Sequence, residues 1–349
     1  MLRIASLELR NFRSYESFSL DGLDRLTILV GPNASGKTNA IESINLLTAQ
    51  SSFRNPTPDE LIGRHGDTAS ASVRIEGEGR VLDMGMLVEQ GRRKWRLNGK
   101  AKSAKEVRGI LPSVVFTPDD LQVVKGPDKL RRRELDAIGS QLNSNYDQIL
   151  HDYGKLLTHR NRLLKDGADD TMLEAIDDVF VIVAEQLSDY REALFGRVLP
   201  IQGSHYGRLS ASSETLSGSY RRSWEGDLRQ ALRDSREDER MRKRTLAGPH
   251  LDRISFEIDG LDASMYASQG QQRSVMLSLK LAEVDLIEEM KGASPVLLLD
   301  DVMSELDETR RSALVGLVSK GSQTFVTTAN MDYFDDGMIS EARIVELSK

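Results

Sequence analysis

The stretch LTILVGPNASGKTN, residues 26–39, decides the fold. It meets the pattern G-x-x-x-x-G-K-[ST] at Gly31, Gly36, Lys37 and Thr38. Upstream, Leu26, Ile28, Leu29 and Val30 form the short apolar run of a central parallel strand; downstream, Ile41, Ile44 and Leu47 recur at helical spacing. Strand, small-residue loop and helix in this order make a phosphate site, because backbone N–H groups can wrap the anion and the helix N-terminus offers unpaired donors and a positive dipole end. Lys37 is expected to reach the β and γ phosphates, and the Thr38 hydroxyl to ligate Mg²⁺, so the cofactors expected are ATP and Mg²⁺. An ordinary glycine-rich turn would not account for both flanks.

The rest of the chain sets bounds. Its 349 residues suffice for about two domains, with 39% hydrophobic and 29% charged residues as in soluble globular proteins. No apolar run approaches the ~20 residues of a membrane span, and MLRIASLELRNF alternates like a strand, so a cytoplasmic protein without membrane contact is expected. With no Cys, thiolate zinc sites and cysteine nucleophiles are excluded, and five scattered His give little case for a transition metal. A net charge of −7 argues against coating nucleic acid with the whole surface, so any nucleic-acid contact is expected to be a local patch.

Leu2, Ile4, Leu7 and Leu9 suggest an opening strand. Residues 71–102 alternate as β structure, and Asn98-Gly99 is a two-residue hairpin signal. The character changes near Thr117-Pro118-Asp119-Asp120. Apolar residues then recur at threes and fours from Tyr146 to Leu164 and again from Met172 to Leu194, separated by KDGADDT, which predicts an antiparallel helical hairpin. Residues 202–244 are polar, Arg-rich and weakly periodic. Ile254, Phe256 and Ile258 resume strand alternation toward Asp259-Gly260.

Two further stretches complete a candidate site. Ser268 precedes GQQR and an apolar-periodic helix, and is a natural N-cap. PVLLLDD, residues 295–301, is a buried strand ending in two carboxylates, and charge at the end of a central parallel strand sits at the ligand edge of a sheet. Asp300 is placed to hold Mg²⁺ and Asp301 to polarise an attacking water, so Lys37 and Asp301 are the candidate catalytic pair.

The order LRNFRSY, GPNASGKTN, SQGQQR, LLLDDVMSELD resembles the ATPase head shared by ABC, SMC and Rad50 proteins. With TPDDLQVVKGPDKLRRRELD, RNRLLK and AGPHLDR added, nearly the whole chain is similar to the RecF family of bacterial recombinational-repair proteins. The resemblance implies an α/β fold: an ABC-type P-loop ATPase head split by an inserted, mainly helical arm. The expected parts are residues 1–116, the N-terminal part of the head with a β-rich subdomain; 117–247, the arm; and 248–349, the C-terminal part of the head. It also implies that Arg13, Ser14, Asn33 and Asn39 line the nucleotide, and that Ser268, Gly270 and Gln271 touch a γ-phosphate held by a second copy. Departures are Glu134 after the arginines, Asp301 where the ABC pattern carries glutamate, and Thr327-Thr328-Ala329-Asn330 without the usual histidine. The last two imply slow hydrolysis.

The function implied is ATP-dependent binding of DNA, single-stranded, gapped or at a junction. The chain would form an ATP-dependent homodimer and assist recombinase loading with a RecR-type mediator protein. Two alternatives share the head: a nucleotide-gated DNA clamp without significant turnover, and an ABC ATPase subunit of another system. An SMC-like tether would need a coiled coil longer than the hairpin predicted here. Residues 125–165 hold nine Lys or Arg against five Asp or Glu, an asymmetry that favours phosphate contact. Within it Arg131, Arg132 and Arg133 are candidates, as are Arg222 with Trp224 and the MRKR of residues 241–244.

Overall fold

The computed structural model describes residues 2–210, 213–319, 321–334 and 336–348. They fall into two compact units: Met1–Asp120 with Glu283–Lys349, and Leu121–Ala282.

The strands before the second unit are β1 (Arg3–Phe12), β2 (Tyr15–Asp21), β3 (Leu26–Val30), β4 (Thr68–Gly77), β5 (Arg80–Glu89), β6 (Arg92–Leu97), β7 (Lys100–Lys102) and β8 (Ser113–Phe116). The second unit contributes β9 (Leu216–Arg221), β10 (Arg253–Ile258) and β11 (Leu261–Asp262), and the chain ends with β12 (Val296–Asp300), β13 (Thr324–Thr328) and β14 (Arg343–Glu346). The helices that matter for function are α1 (Lys37–Ala49), α2 (Asp128–Leu142), α3 (Ser144–Asp166), α4 (Asp170–Leu209), α5 (Arg236–Arg242) and α6 (Gln269–Lys291).

The first unit holds two sheets. Five strands run in the order β14-β3-β13-β12-β8, and every pairing is parallel. The apolar runs of β3, β12 and β13 are buried on both faces, as the centre of such a sheet requires, and β14 is an exposed edge. The other sheet, β2-β1-β4-β5-β6-β7, is antiparallel throughout. In β1 the apolar phase shifts between Ile4 and Leu7, and the ladder to β4 is irregular between Ile4 and Ser6, which returns Leu7 and Leu9 to the buried face. Asn98 and Gly99 turn β6 into β7 with positive φ at both residues, the geometry that a two-residue hairpin needs. Helix α1 packs Ile41, Ile44 and Leu47, all fully buried, into the core shared by the two sheets.

In the second unit α3 and α4 form the expected hairpin. The turn between them has Gly167 in the left-handed region and Asp169 capping α4 through the Met172 amide. Helix α4 continues to Leu209, well past the point where periodicity fades, because the apolar Phe195, Val198, Tyr206 and Leu209 stay buried among polar neighbours. Residues 248–282, expected with the C-terminal part of the head, belong to this unit. The reason is a long-range pairing: β10 runs antiparallel to β9 over six residues, from Arg253 opposite Arg221 to Ile258 opposite Leu216.

Candidate nucleotide site

Parallel pairing brings three strand ends together. Strand β3 leads into the phosphate loop, β12 ends at Asp300, and β13 lies between them, with Thr327 opposite both Leu29 and Asp300. The C-terminal edge of such a sheet is where ligands bind.

The loop itself is shaped by two close approaches. A side chain on Gly31 would lie 2.4 Å from the Leu347 carbonyl, and one on Gly36 would lie 2.7 Å from the Tyr15 hydroxyl. Gly36 also has φ 100°, a left-handed conformation that favours glycine. Its turn starts α1 at Lys37, so the helix N-terminus faces the loop. The buried Lys37 ammonium donates to the carbonyls of Gly31 (2.7 Å) and Pro32 (3.0 Å), which places its charge inside the loop. Asn33 is exposed.

The Thr38 hydroxyl donates to Asp300 Oδ1 at 3.0 Å, and the Thr327 hydroxyl donates to the same oxygen at 2.7 Å. Burial raises the Asp300 carboxyl above the usual carboxylate range, and the two hydroxyls and the Arg54 charge pull it back. Asp301 is half-buried, in the left-handed region at φ 53°, with its amide donating to Thr327 Oγ1 at 3.0 Å.

A second cluster borders α1. The fully buried Glu42 receives Arg13 through Nε (2.9 Å) and Nη2 (2.8 Å), Ser52 Oγ at 2.6 Å, and Arg54 at 3.5 Å. Arg13 Nη1 donates to the Glu60 carbonyl, so the guanidinium expected at the nucleotide is here committed to Glu42 and Glu60. Arg54 also donates to Asn39 Oδ1 at 2.9 Å, and Asn39 Nδ2 to Ser14 Oγ at 2.8 Å. Ser14, Asn39, Arg54 and Glu42 thus form one chain of contacts beside the loop.

Sequence reading missed Arg54, Glu42, Thr327 and Tyr15. Only Thr327 left a signal, a hydroxyl closing an apolar strand next to the carboxylate strand. The Tyr15 and Ser35 hydroxyls are buried at the loop without a hydrogen-bond partner. Burial pushes the Tyr15 hydroxyl up to about 12, so at neutral pH it remains a donor.

Two orphan hydroxyls, a loop-bound ammonium and backbone too close for side chains fit a polyphosphate. Among the described residues no group of three His, Cys, Asp or Glu could hold a metal. A hard cation at Thr38 and Asp300 would complete its oxygen shell from phosphate and water, the usual habit of Mg²⁺.

Ser268, Gly270 and Gln271 lie in the second unit at the start of α6. The Ser268 hydroxyl accepts from the Gln271 amide at 3.2 Å, and the Gln271 side-chain oxygen accepts from the Ser268 amide at 2.7 Å. This reciprocal capping box, with Ser268 exposed, fixes a helix N-terminus at the surface.

The family described as RecF/RecN/SMC N terminal domain matches residues 3–346. The DNA replication and repair protein RecF of Gloeobacter violaceus is 34% identical, over 99% of this chain and 97% of that protein. This chain belongs to the RecF family. RecF of Staphylococcus aureus is 33% identical over 100% of this chain and 99% of its own length. A solved structure of the recombination mediator protein RecF with ATP, from the RecFOR pathway, superposes with TM-score 0.88 at 28% identity, covering 96% of this chain and 94% of that one. An Smc head domain from Pyrococcus furiosus, 19% identical with TM-score 0.54, shares the fold. The RecF family fold is therefore the ABC-type ATPase head, and membership places the chain among ATP-binding DNA replication and repair proteins. No helix among the described residues is long and apolar enough to cross a membrane.

Proposed function

We propose that this RecF-family chain is a weak, Mg²⁺-dependent ATPase that binds DNA at single-strand gaps or junctions, dimerises on ATP, and assists recombinase loading in the cytoplasm with a RecR-type mediator. The observation that carries the nucleotide half is the meeting of Thr38 and Asp300 at 3.0 Å beside the Lys37 loop, from positions 262 residues apart. The relative solved with ATP, named as a recombination mediator of the RecFOR pathway, supports the rest by likeness.

In this reading Lys37 holds the β and γ phosphate oxygens, and loop amides between Asn33 and Thr38 wrap them, since Pro32 has no N–H and the Gly31 amide donates to Thr328. Thr38 and Asp300 hold the cation. When bound, Mg²⁺ neutralises charge that develops on the transferred phosphoryl group. Asp301 orients water and receives its proton. Ser14, Asn33 and Asn39 line the nucleotide, and Arg13 acts through Glu42, which braces the Arg54–Asn39–Ser14 chain. Ser268, Gly270 and Gln271 serve the nucleotide of a second copy.

A clamp with little turnover is the second reading, favoured by Asp301 being one methylene shorter than glutamate and by Asn330 following β13 in place of histidine. Equilibrium nucleotide binding and phosphate release separate the two. Lys37→Met should weaken ATP binding about 10- to 100-fold, the range for losing hydrogen bonds to charged groups. Asp301→Asn should keep ATP affinity and lose most hydrolysis. Unchanged affinity in the Lys37 variant rejects the site, and phosphate release equal in Asp301→Asn and unaltered protein rejects the role of Asp301.

A further inference from the structure

Most arginines of the second unit face inward or are already paired. Arg131 donates to the carbonyls of Val123, Val124 and Gly126, and Arg132 is buried against the Asp252 carbonyl. Arg160 and Arg191 are buried on carboxylates, and Arg222 bonds Asp189 and Glu192. Arg133 is half-buried beside them, so the arginine trio that the net-positive segment offered is not an open cationic surface.

One face of α3 differs. His151, Lys155, Thr158, His159, Arg162 and Lys165 are all exposed, and their spacing of four, three, one, three and three residues keeps them on one side of the helix. Among the described residues Lys155 and Lys165 meet no carboxylate, and Arg162 meets only the exposed Asp166 at 3.5 Å, a contact of little worth in water. Gly154 sits amid this face. A side chain there would meet nothing within 4 Å, and the shallow cleft it leaves is bordered by Lys155, Thr158 and Arg162. Glycine weakens an exposed helix interior, but it lets another molecule's backbone come close.

We propose that this face of α3 docks the sugar–phosphate backbone of duplex DNA, an inference that rests on the DNA-binding reading above. Two lysines without counter-ions and an arginine held only by a solvent-exposed pair, spaced along a rigid rod, match a line of phosphates, and in a chain of net charge −7 they form a local patch of the opposite sign. From Lys155 to Lys165 the charged part of the stripe spans about 15 Å at ~1.5 Å per residue, close to half a turn of duplex. A single strand would call for exposed rings on which bases stack, whereas Tyr146 and Tyr153 of this helix are buried. Amide side chains that could read base edges are occupied: Gln148 bonds Asp152, and Asn161 bonds Thr245. Contact is with backbone, without sequence preference.

The test is fluorescence anisotropy of the full chain with ATP, using a labelled duplex and a labelled single strand of equal length at several salt concentrations. The surface double variant Lys155→Glu/Arg162→Glu should bind duplex at least about tenfold more weakly, with a log–log salt slope smaller by roughly two, at unchanged ATP affinity and melting temperature. Gly154→Leu, which fills the cleft and leaves the charge, should weaken duplex binding without changing the slope. Duplex affinity unchanged in both variants overturns the proposal, as does a loss confined to the single strand. Absence of any DNA binding by the unaltered chain overturns the functional reading and this surface together, whereas binding that ignores the variants overturns the surface alone.

Discussion

Asp300 illustrates a residue whose local cost is tied to its role. Its carboxyl is raised by burial more than Thr327, Thr38 and Arg54 can offset. A carboxyl with a higher pKa folded than unfolded makes the folded state bind more protons, so its contribution to stability falls as pH rises past the ordinary carboxylate range. Asp300→Asn is neutral and cannot show that fall. We expect the variant to melt higher than the unaltered chain at pH 7 without ligand, with the difference vanishing toward pH 4. Magnesium–nucleotide should stabilise it far less, since a cation ligand is gone. Thermal melts across pH, with and without Mg²⁺ and ATP, check both parts. A lower melting point at pH 7 would mean that the hydroxyls over-compensate burial.

Among the elements, the α3–α4 hairpin depends on one buried side chain near its turn. Arg160, fully buried on α3, donates through Nε to Asp177 of α4 at 2.6 Å and through Nη2 to Glu239 of α5 at 2.7 Å, and Nη1 reaches Thr245 at 2.9 Å. Asp177 keeps a second partner in Arg236, but Glu239 is left with only the Leu246 amide once Arg160 is gone. Breaking such a buried network costs about 3–5 kcal/mol. Arg160→Ala should lower the stability of the second unit by this order in denaturant titrations followed by circular dichroism, and Arg160→Lys should recover little, lacking the planar fork. A loss under about 1 kcal/mol would show that the helices are held by their apolar contacts, Tyr153 against Phe180 among them. The same arginine, counted in sequence as part of a basic segment, contributes nothing to the exposed charge of α3.

For the whole molecule, the proposed ATP-dependent dimer determines where a complete site can form. A capped, exposed helix N-terminus at Ser268 stands in the second unit, and the phosphate loop in the first. If each copy offers its Ser268 end to the other's nucleotide, a two-fold dimer with two identical sites results. Light scattering should then give a dimer with ATP and a monomer without it. Mixing Lys37→Met with Ser268→Arg should restore part of the ATPase activity, because one site of each heterodimer carries both lesions and the other neither. Dimers independent of ATP, or no recovery from folded variants shown to exchange, would reject the shared site. The amino-acid sequence by itself determined the phosphate loop, the carboxylate-ended strand, the cap at Ser268, the hairpin turn at Asn98-Gly99 and the break between α3 and α4. Each is settled by neighbours within about one helical turn or one strand repeat, where periodicity and capping act. Only the tertiary structure decided that Thr327 bonds Asp300, that Arg13 and Arg54 meet Glu42, that residues 248–282 follow β9, and which cations of residues 125–165 face water. Those outcomes depend on partners far along the chain, such as Asp177 and Glu239 for Arg160, and charge burial follows the partner that folding supplies.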